Sequence, residues 1–289
     1  MRTSHFLCLL LCLFSTAAFS QKSIEFPNLN GPYLGQPPPG EKAVCFASGL
    51  ITYEVHESPI LFQEGQEILI GSMMEGLKYY RWMNGIWSLE NTLPFDPPAN
   101  CNGVSLSPSG NRVYFLIWTG DDEDFYFIEK RGDGWSALHS LGDPVNDFPT
   151  HWQFSIAMNE NLYFSTGGKV VVSVFDGHHH QKPVPLKQVN NEDLEGGTPF
   201  IAPDESYLMV SIEKDLHISY RLSDNKWTEP VNLGPSINMN DCYDLCPRIS
   251  PDGKYLFFIS RRSGPDFRIY WSEAGFIERL KPEHVKEKD

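Results

Sequence analysis

Ile249-Ser-Pro-Asp-Gly-Lys254 is a polar turn between two apolar runs, and it is one of five such phrases in this chain. The other phrases begin at Leu61, Leu106, Ile156 and Ile201, so consecutive copies start 45, 50, 45 and 48 positions apart. Pro presets φ, Asp can bond its own backbone and Gly accepts a positive φ, so the phrase predicts a β-hairpin. A recurrence of about 40–50 residues built from short strands is typical of β-propeller blades.

Each copy contains four strand-sized apolar segments, and no segment before the C-terminus has a helical period. In the second copy these segments are residues 103–107, 112–118, 124–131 and 135–141. The sequence therefore predicts an all-β fold, a single β-propeller of five four-stranded blades over residues 43–281. The fifth copy lacks an outer strand, so we expect residues 43–46 to supply it and close the ring. A six-bladed ring is the alternative if residues 24–52 contribute more than a closing strand.

The N-terminus has the pattern of an export signal. Arg2 precedes an apolar run at residues 6–14, and Ala18-Phe19-Ser20 forms a small-x-small cleavage site before Gln21. The apolar run is too short to span a bilayer, which needs roughly 20 residues. We expect a signal peptide at 1–20, an extended lead-in at 21–42 and a charged tail at 282–289. The expected location is the periplasm or the extracellular space, with no transmembrane span.

The net charge argues against a nucleic-acid partner. The chain carries a formal charge of −14, and residues 1–20 contain one arginine and no acid, so their removal gives about −15. Binding nucleic acid requires clustered Lys and Arg, and the chain has no basic block. The acidity is that of a soluble exported protein.

Four cysteines remain after cleavage, namely Cys45, Cys101, Cys242 and Cys246. In an oxidising compartment they can form disulfide bonds, and four cysteines pair in three ways. Cys242 and Cys246 are close enough in sequence for a local bridge. A zinc site is the alternative, but the chain lacks a second Cys or His pair at finger spacing. A disulfide or a buried free thiol is therefore favoured.

Several longer phrases resemble a known repeat. Residues 250–258 (SPDGKYLFF), 227–234 (WTEPVNLG) and 238–241 (NMND) are similar to the TolB-type, WD40-like repeat of bacterial envelope proteins. Residues 32–40 (PYLGQPPPG) and 269–271 (IYW) resemble periplasmic members of that group. The likeness covers nearly the whole mature chain. It implies a propeller fold and an envelope compartment, and its repeat motif is a folding signal rather than a catalytic one.

The candidate site residues are the polar ones just before each turn phrase, because loops at one rim of a propeller form its usual binding surface. Since strand side chains alternate, every second residue can point into the channel. His56, Asn102 and His151 stand five, four and five residues before their phrases, so we expect them to converge. The catalytic candidates are His56, His151, Glu54 and Glu57, because His exchanges protons near neutrality and a neighbouring carboxylate orients it. The ligand-binding candidates are Asn102, Trp152, Gln153, Glu195, Asp244 and Arg248.

Other clusters favour structural interpretations. His178, His179 and His180 cannot all face one metal from a strand and follow a turn signal, so they are expected on an exposed loop. The acidic run 121–124 lacks the EF-hand spacing and is interpreted as a solvated turn. Nucleophile-elbow, zinc-protease and phosphate-loop motifs are absent, and we expect no metal and no cofactor.

The leading hypothesis is an exported ligand-binding or protein-interaction module, monomeric, with a carbohydrate or an envelope protein bound at the channel mouth. The alternative is a lyase or hydrolase of sugar-like substrates, with His56 and His151 as acid and base and Glu54 or Glu57 assisting. A glycosidase remains compatible with the missing motifs, because two carboxylates at the right separation leave no local signature.

Overall fold

The computed structural model describes residues 29–62, 65–72, 74, 76–98, 100–120, 122–149, 153–189 and 197–286. The predicted signal peptide, part of the predicted lead-in, and the candidates His151, Trp152 and Glu195 lie outside the described residues.

Within these ranges, antiparallel strands form five sheets. A first strand, β1 (Val44–Cys45), precedes blade 1, which contains β2 (Ile60–Phe62), β3 (Glu67–Ser72), β4 (Gly76–Met83) and β5 (Ile86–Glu90). Blade 2 contains β6 (Cys101–Leu106), β7 (Arg112–Trp118), β8 (Glu123–Arg131), β9 (Gly134–Trp135) and β10 (His139–Ser140). Blade 3 contains β11 (Phe154–Ile156), β12 (Leu162–Thr166), β13 (Lys169–Ser173) and β14 (Val184–Pro185). Blade 4 contains β15 (Phe200–Ile201), β16 (Tyr207–Ile212), β17 (Asp215–Tyr220) and β18 (Val231–Asn232). Blade 5 contains β19 (Asp244–Ile249), β20 (Tyr255–Ser260) and β21 (Arg268–Glu273).

The N-terminal strand closes the ring. β1 pairs antiparallel with β21, with Val44 opposite Trp271 and Cys45 opposite Tyr270, and completes the fourth place of blade 5. The predicted closing strand is confirmed, and the ring has five blades rather than six. Without β1, the edge of β21 would present unpaired backbone groups to water.

The turn phrase keeps one conformation in copies two to five. Gly110, Glu160, Glu205 and Gly253 have φ values of 70°, 66°, 58° and 73°. Their N–H groups donate to the carbonyl three residues earlier at 2.8, 2.9, 2.9 and 2.8 Å, respectively. Glutamate thus replaces glycine in the left-handed region in copies three and four, where a side chain is uncommon.

The two turn glutamates tie neighbouring blades together. Glu205 of blade 4 accepts hydrogen bonds from the Tyr163 hydroxyl at 2.6 Å and from Asn161 Nδ2 at 2.8 Å, both on blade 3, and it pairs with Arg221. Glu160 of blade 3 accepts from the Tyr114 hydroxyl of blade 2. These bonds offset the unfavourable backbone conformation of a residue that carries a side chain.

The apolar core is divided into five clusters, one at each contact between neighbouring blades. Trp87 is buried between blades 5 and 1, and Trp227 is buried between blades 3 and 4. The Trp87 indole N–H donates to the Gly31 carbonyl at 2.7 Å, which attaches the N-terminal lead-in to the ring. Such tryptophans fill the gap between two sheets and bury a large apolar area.

The first strand of every blade begins at the same rim of the ring. These strands, β2, β6, β11, β15 and β19, lie nearest the axis, where β11 contacts β6 and β15, and β15 contacts β19. Because the sheets are antiparallel, the hairpin between the second and third strands of each blade lies at the same end. We call this end the site rim. The helices at the C-terminus, α1 (Phe276–Leu280) and α2 (Glu283–Lys286), are short, and no helix among the described residues is long and apolar enough to cross a membrane.

The four cysteines of the described chain carry free thiols, so the structure shows no disulfide bond among them. Cys45 lies on the outermost strand of blade 5, and Cys246 lies on the innermost strand. Three strand spacings separate these two strands, about 14 Å, which is beyond the reach of a disulfide. Cys101 lies on blade 2.

Candidate functional site

The segment 53–58 carries three predicted site residues and lies across the seam between blades 5 and 1. The Val55 N–H donates to the Phe267 carbonyl of blade 5 at 3.2 Å. The next N–H, that of His56, donates to the Gly71 carbonyl of blade 1 at 3.1 Å. Backbone bonds to both blades therefore fix the direction of the His56 and Glu57 side chains.

A pocket of about 330 Å³ opens at the site rim between blades 1 and 2. Its volume lies at the lower end of the range for small-molecule sites. Three predicted residues, His56, Glu57 and Asn102, line it together. The other lining residues are Gly71, Ser72, Gly76, Leu77, Cys101, Gly103, Val104 and Glu123.

Glu57 forms the buried wall of this pocket, with 5% of its surface exposed. Burial raises the pKa of its carboxyl to about 7, although Arg248, the Val104 backbone and Gln153 act to lower that pKa. Gly71 makes room for the carboxyl, because a Cβ at that position would lie 3.3 Å from Glu57 Oε1. A glycine inside a strand often marks such a close approach.

Asn102 and Glu123 form the second polar group of the pocket. Asn102 Nδ2 donates to Glu123 Oε1 at 2.6 Å, and Glu123 is 7% exposed. Asn102 stands at a register shift between β6 and β7, and such bulges redirect a side chain. Glu123 is not among the site residues predicted from the sequence, because the acidic run 121–124 is typical of a solvated turn. The signal that identifies it is its position in a second-to-third-strand hairpin, which reaches the same rim.

Two further titratable groups of the pocket, His56 and Cys101, favour their neutral forms. Burial lowers the pKa of His56, while the charges of Glu123 and Glu54 act in the opposite direction. A neutral imidazole offers one donor and one acceptor. Burial, reinforced by the charge of Glu57, raises the pKa of Cys101 to about 12. This thiol is therefore not a nucleophile near pH 7, since the thiolate is the reactive form.

Other predicted residues lie outside the pocket lining. Glu54 is exposed, and its Oε1 lies 3.7 Å from Arg261 Nη2. Asp244 is fully buried and accepts from the Met239 N–H at 2.9 Å and from Arg262 Nη2 at 2.7 Å. These bonds use both Asp244 oxygens to hold the loop before β19.

Gln153 and Arg248 lie deeper, at the channel. Gln153 is 7% exposed, and Arg248 Nη2 stands 4.0 Å from Glu57 Oε2. Burial lowers the pKa of Arg248, and the charge of Glu57 raises it. Gln153 of blade 3 and Arg248 of blade 5 thus both lie near the Glu57 carboxyl.

The histidine triplet belongs to a turn. Asp176 Oδ1 accepts the backbone N–H groups of His178 and His179 at 2.9 and 2.8 Å. His180 is buried against the Phe175 ring, and burial lowers the pKa of His180 to about 4. Among the described residues, no group of three or more His, Cys, Asp or Glu side chains is arranged to hold a metal ion.

The sequence matches no protein-family model and no curated protein sequence. Solved structures similar to the chain include a protein assigned as TolB from Agrobacterium tumefaciens, at 16% identity and a TM-score of 0.48, over 76% of this chain and 77% of that one. TolB from Acinetobacter baumannii is similar at 11% identity and a TM-score of 0.45, over 75% of this chain and 56% of that one. A protein assigned as a 6-phosphogluconolactonase from Bacteroides uniformis is similar at 16% identity and a TM-score of 0.40, over 68% of this chain and 62% of that one. TolB proteins are thus among the structures that the chain is similar to, as the sequence motifs predicted.

Proposed function

We propose that this protein is an exported propeller that binds a small, neutral, hydroxylated ligand of the carbohydrate class in the pocket between blades 1 and 2. The observation that carries the proposal is the convergence of His56, Glu57, Asn102 and Glu123 on one cavity of about 330 Å³. The N-terminal signal pattern supports export.

The hydrogen-bonding capacity of the pocket matches hydroxyl groups. A hydroxyl donates one hydrogen bond and accepts others, so it is best met by an acceptor and a donor side by side. Glu123 supplies a carboxylate next to the Asn102 amide, which carries two N–H donors. His56 lines the same cavity, and burial lowers its pKa. Burial strengthens such contacts, because a buried polar group left unpaired is costly.

The charge of the pocket favours a neutral ligand over a phosphate or another anion. Two carboxyl groups, Glu57 and Glu123, line it, and no Lys or Arg is among its described lining residues. An anion seated there would find no cationic side chain among these residues and would be repelled by any acidic side chain in its ionised form. A sugar without phosphate or carboxylate meets no such barrier.

The proposal is tested by thermal-shift measurements and calorimetry on the mature chain with a panel of neutral mono- and disaccharides. A ligand that binds the folded state raises the melting temperature with the logarithm of its concentration above Kd. We expect Asn102→Ala and Glu123→Gln to weaken binding at least tenfold. Glu54→Gln, at an exposed site outside the lining, is the matched control. The absence of any shift across the panel would overturn the carbohydrate assignment in favour of a protein partner.

Acid–base chemistry on the bound ligand is the second candidate function. It is favoured by the shared pocket of Glu57 and His56, because a carboxyl with a pKa of about 7 can exchange a proton near neutrality. The test is product analysis after incubation with the sugars that bind. An enzyme would lose turnover in Glu57→Gln with little change in affinity. Binding without any product would identify a pure binding protein.

A further inference from the structure

The Arg248 side chain lies behind the Glu57 wall of the pocket with its donors largely unused. Its closest polar contact is Nη2 to Glu57 Oε2 at 4.0 Å, which is too long for a hydrogen bond. Within the described part of the chain, the buried Arg248 Nε has no hydrogen-bond partner. About 14% of the Arg248 side chain remains exposed.

This arrangement is a poor stabiliser of the folded chain. A buried ion pair repays its desolvation only when its geometry is good and its remaining donors are bonded. At 4.0 Å, with Nε unpaired, the Glu57–Arg248 pair meets neither condition. An unsatisfied buried polar group in a native structure requires an explanation, such as a functional role or a bound molecule. The pair is therefore better explained by something that it binds.

The 4.0 Å separation of Arg248 Nη2 and Glu57 Oε2 allows one oxygen atom to contact both. An oxygen about 2.8 Å from both Arg248 Nη2 and Glu57 Oε2 closes a triangle on their 4.0 Å separation. When Glu57 is ionised, that oxygen must accept from the guanidinium and donate to the carboxylate. A hydroxyl does both, whereas a carbonyl, carboxylate or phosphate oxygen lacks the proton. Glu57 also lines the pocket, so a ligand seated there can extend to this position.

We propose that Glu57 and Arg248 together seat one hydroxyl of the ligand, which makes Arg248 a specificity-determining residue of the pocket. The inference rests on the proposed function and narrows it to compounds with at least two hydroxyls, one for this pair and one for the pair of Asn102 and Glu123.

The first test measures coupling between Arg248 and individual ligand hydroxyls. The probes are D-glucose, D-galactose and their monodeoxy derivatives, titrated by calorimetry into the wild type and into Arg248→Met. At one position of the sugar ring, removal of the hydroxyl should weaken binding to the wild type at least tenfold. The same removal should change binding to Arg248→Met less than twofold. Equal losses in both proteins would overturn the inference and leave the proposed function standing. Failure of the wild type to bind any sugar of the panel, these two included, would overturn both.

The second test needs no ligand and separates binding from structural support. The double variant Glu57→Gln/Arg248→Met removes both charges, so it leaves no single buried charge behind. We expect its melting temperature to lie within about 3 °C of the wild type or above it, since each 1 kcal/mol shifts that temperature by about 2–4 °C in a chain of this size. A fall of more than about 10 °C would show that the pair is a structural brace and overturn the inference. The coupling titration is repeated in this double variant, so a folding defect of Arg248→Met alone does not decide the outcome.

Discussion

Replacing Glu57 by Gln is expected to change how the stability of the protein depends on pH. The folded state keeps the Glu57 proton up to a pKa of about 7, whereas the unfolded chain releases it near 4.5. Between these values the folded state binds more protons, so this group contributes stability below pH 4.5 that is lost as the pH rises to 7. With about 1.4 kcal/mol for each pKa unit, the interval from 4.5 to 7 corresponds to about 3 kcal/mol.

The measurement is urea unfolding of the wild type and of Glu57→Gln in buffers of equal ionic strength from about pH 4.5 to 8, analysed by linear extrapolation. The free energy of unfolding of the wild type should fall by about 3 kcal/mol more than that of the variant over this range. Glu54→Gln, at an exposed carboxyl on the same segment, should follow the wild-type curve. Parallel curves for the wild type and Glu57→Gln would refute the assignment of a raised pKa to this carboxyl.

Three further changes test the framework of the ring. Glu205→Ala removes the acceptor of a hydrogen bond from the Tyr163 hydroxyl of the neighbouring blade. Urea unfolding should show that the free energy of unfolding falls by about 2–4 kcal/mol. A fall of less than about 0.5 kcal/mol would contradict the stabilising contact between the blades. Gly65→Ala places a Cβ 2.5 Å from the Tyr33 ring at a φ of +80°, and calorimetry should record a loss of at least about 2 kcal/mol; a wild-type melting temperature would show that the ring moves aside. A mature chain shortened to begin after residue 46 lacks the closing strand and should melt more than 10 °C below the full mature chain; equal melting temperatures would refute closure by β1.

The fold could be predicted because its determinants are local and repeated. Each hairpin is encoded by a short polar phrase, and five such phrases at near-constant spacing define the blades. Even Met158-Asn-Glu160, which lacks Pro and Gly, forms the same turn, because Glu160 is held by its bond to the Tyr114 hydroxyl. The closing strand was predictable for a different reason, since the fifth copy lacks a partner that an edge strand requires.

The candidate site was predictable only in part, because strand position does not fix how far a side chain reaches. His56, Glu57 and Asn102 line the pocket. Each stands four or five residues before the turn phrase of its copy. Glu123 comes from a third strand and enters the site through its bond to Asn102, which spacing does not reveal. Asp244 occupies an equivalent position but is held by Arg262, a partner 18 residues away in sequence. Whether such a residue has a structural or a binding role depends on its tertiary contacts, which a single sequence does not reveal.

Ring closure and the site depend on the same stretch of chain. After β1 completes blade 5, residues 46–58 return to the axis and deliver His56 and Glu57 to the pocket between blades 1 and 2. Glu57 there faces Arg248 of blade 5, so the first and last blades meet at this pair. Each of the other four blade contacts is spanned by a connection that leads directly from one blade to the next. A hydroxyl seated between Glu57 and Arg248 would join the two ends of the ring, and ligand binding should therefore stabilise this seam more than the other contacts.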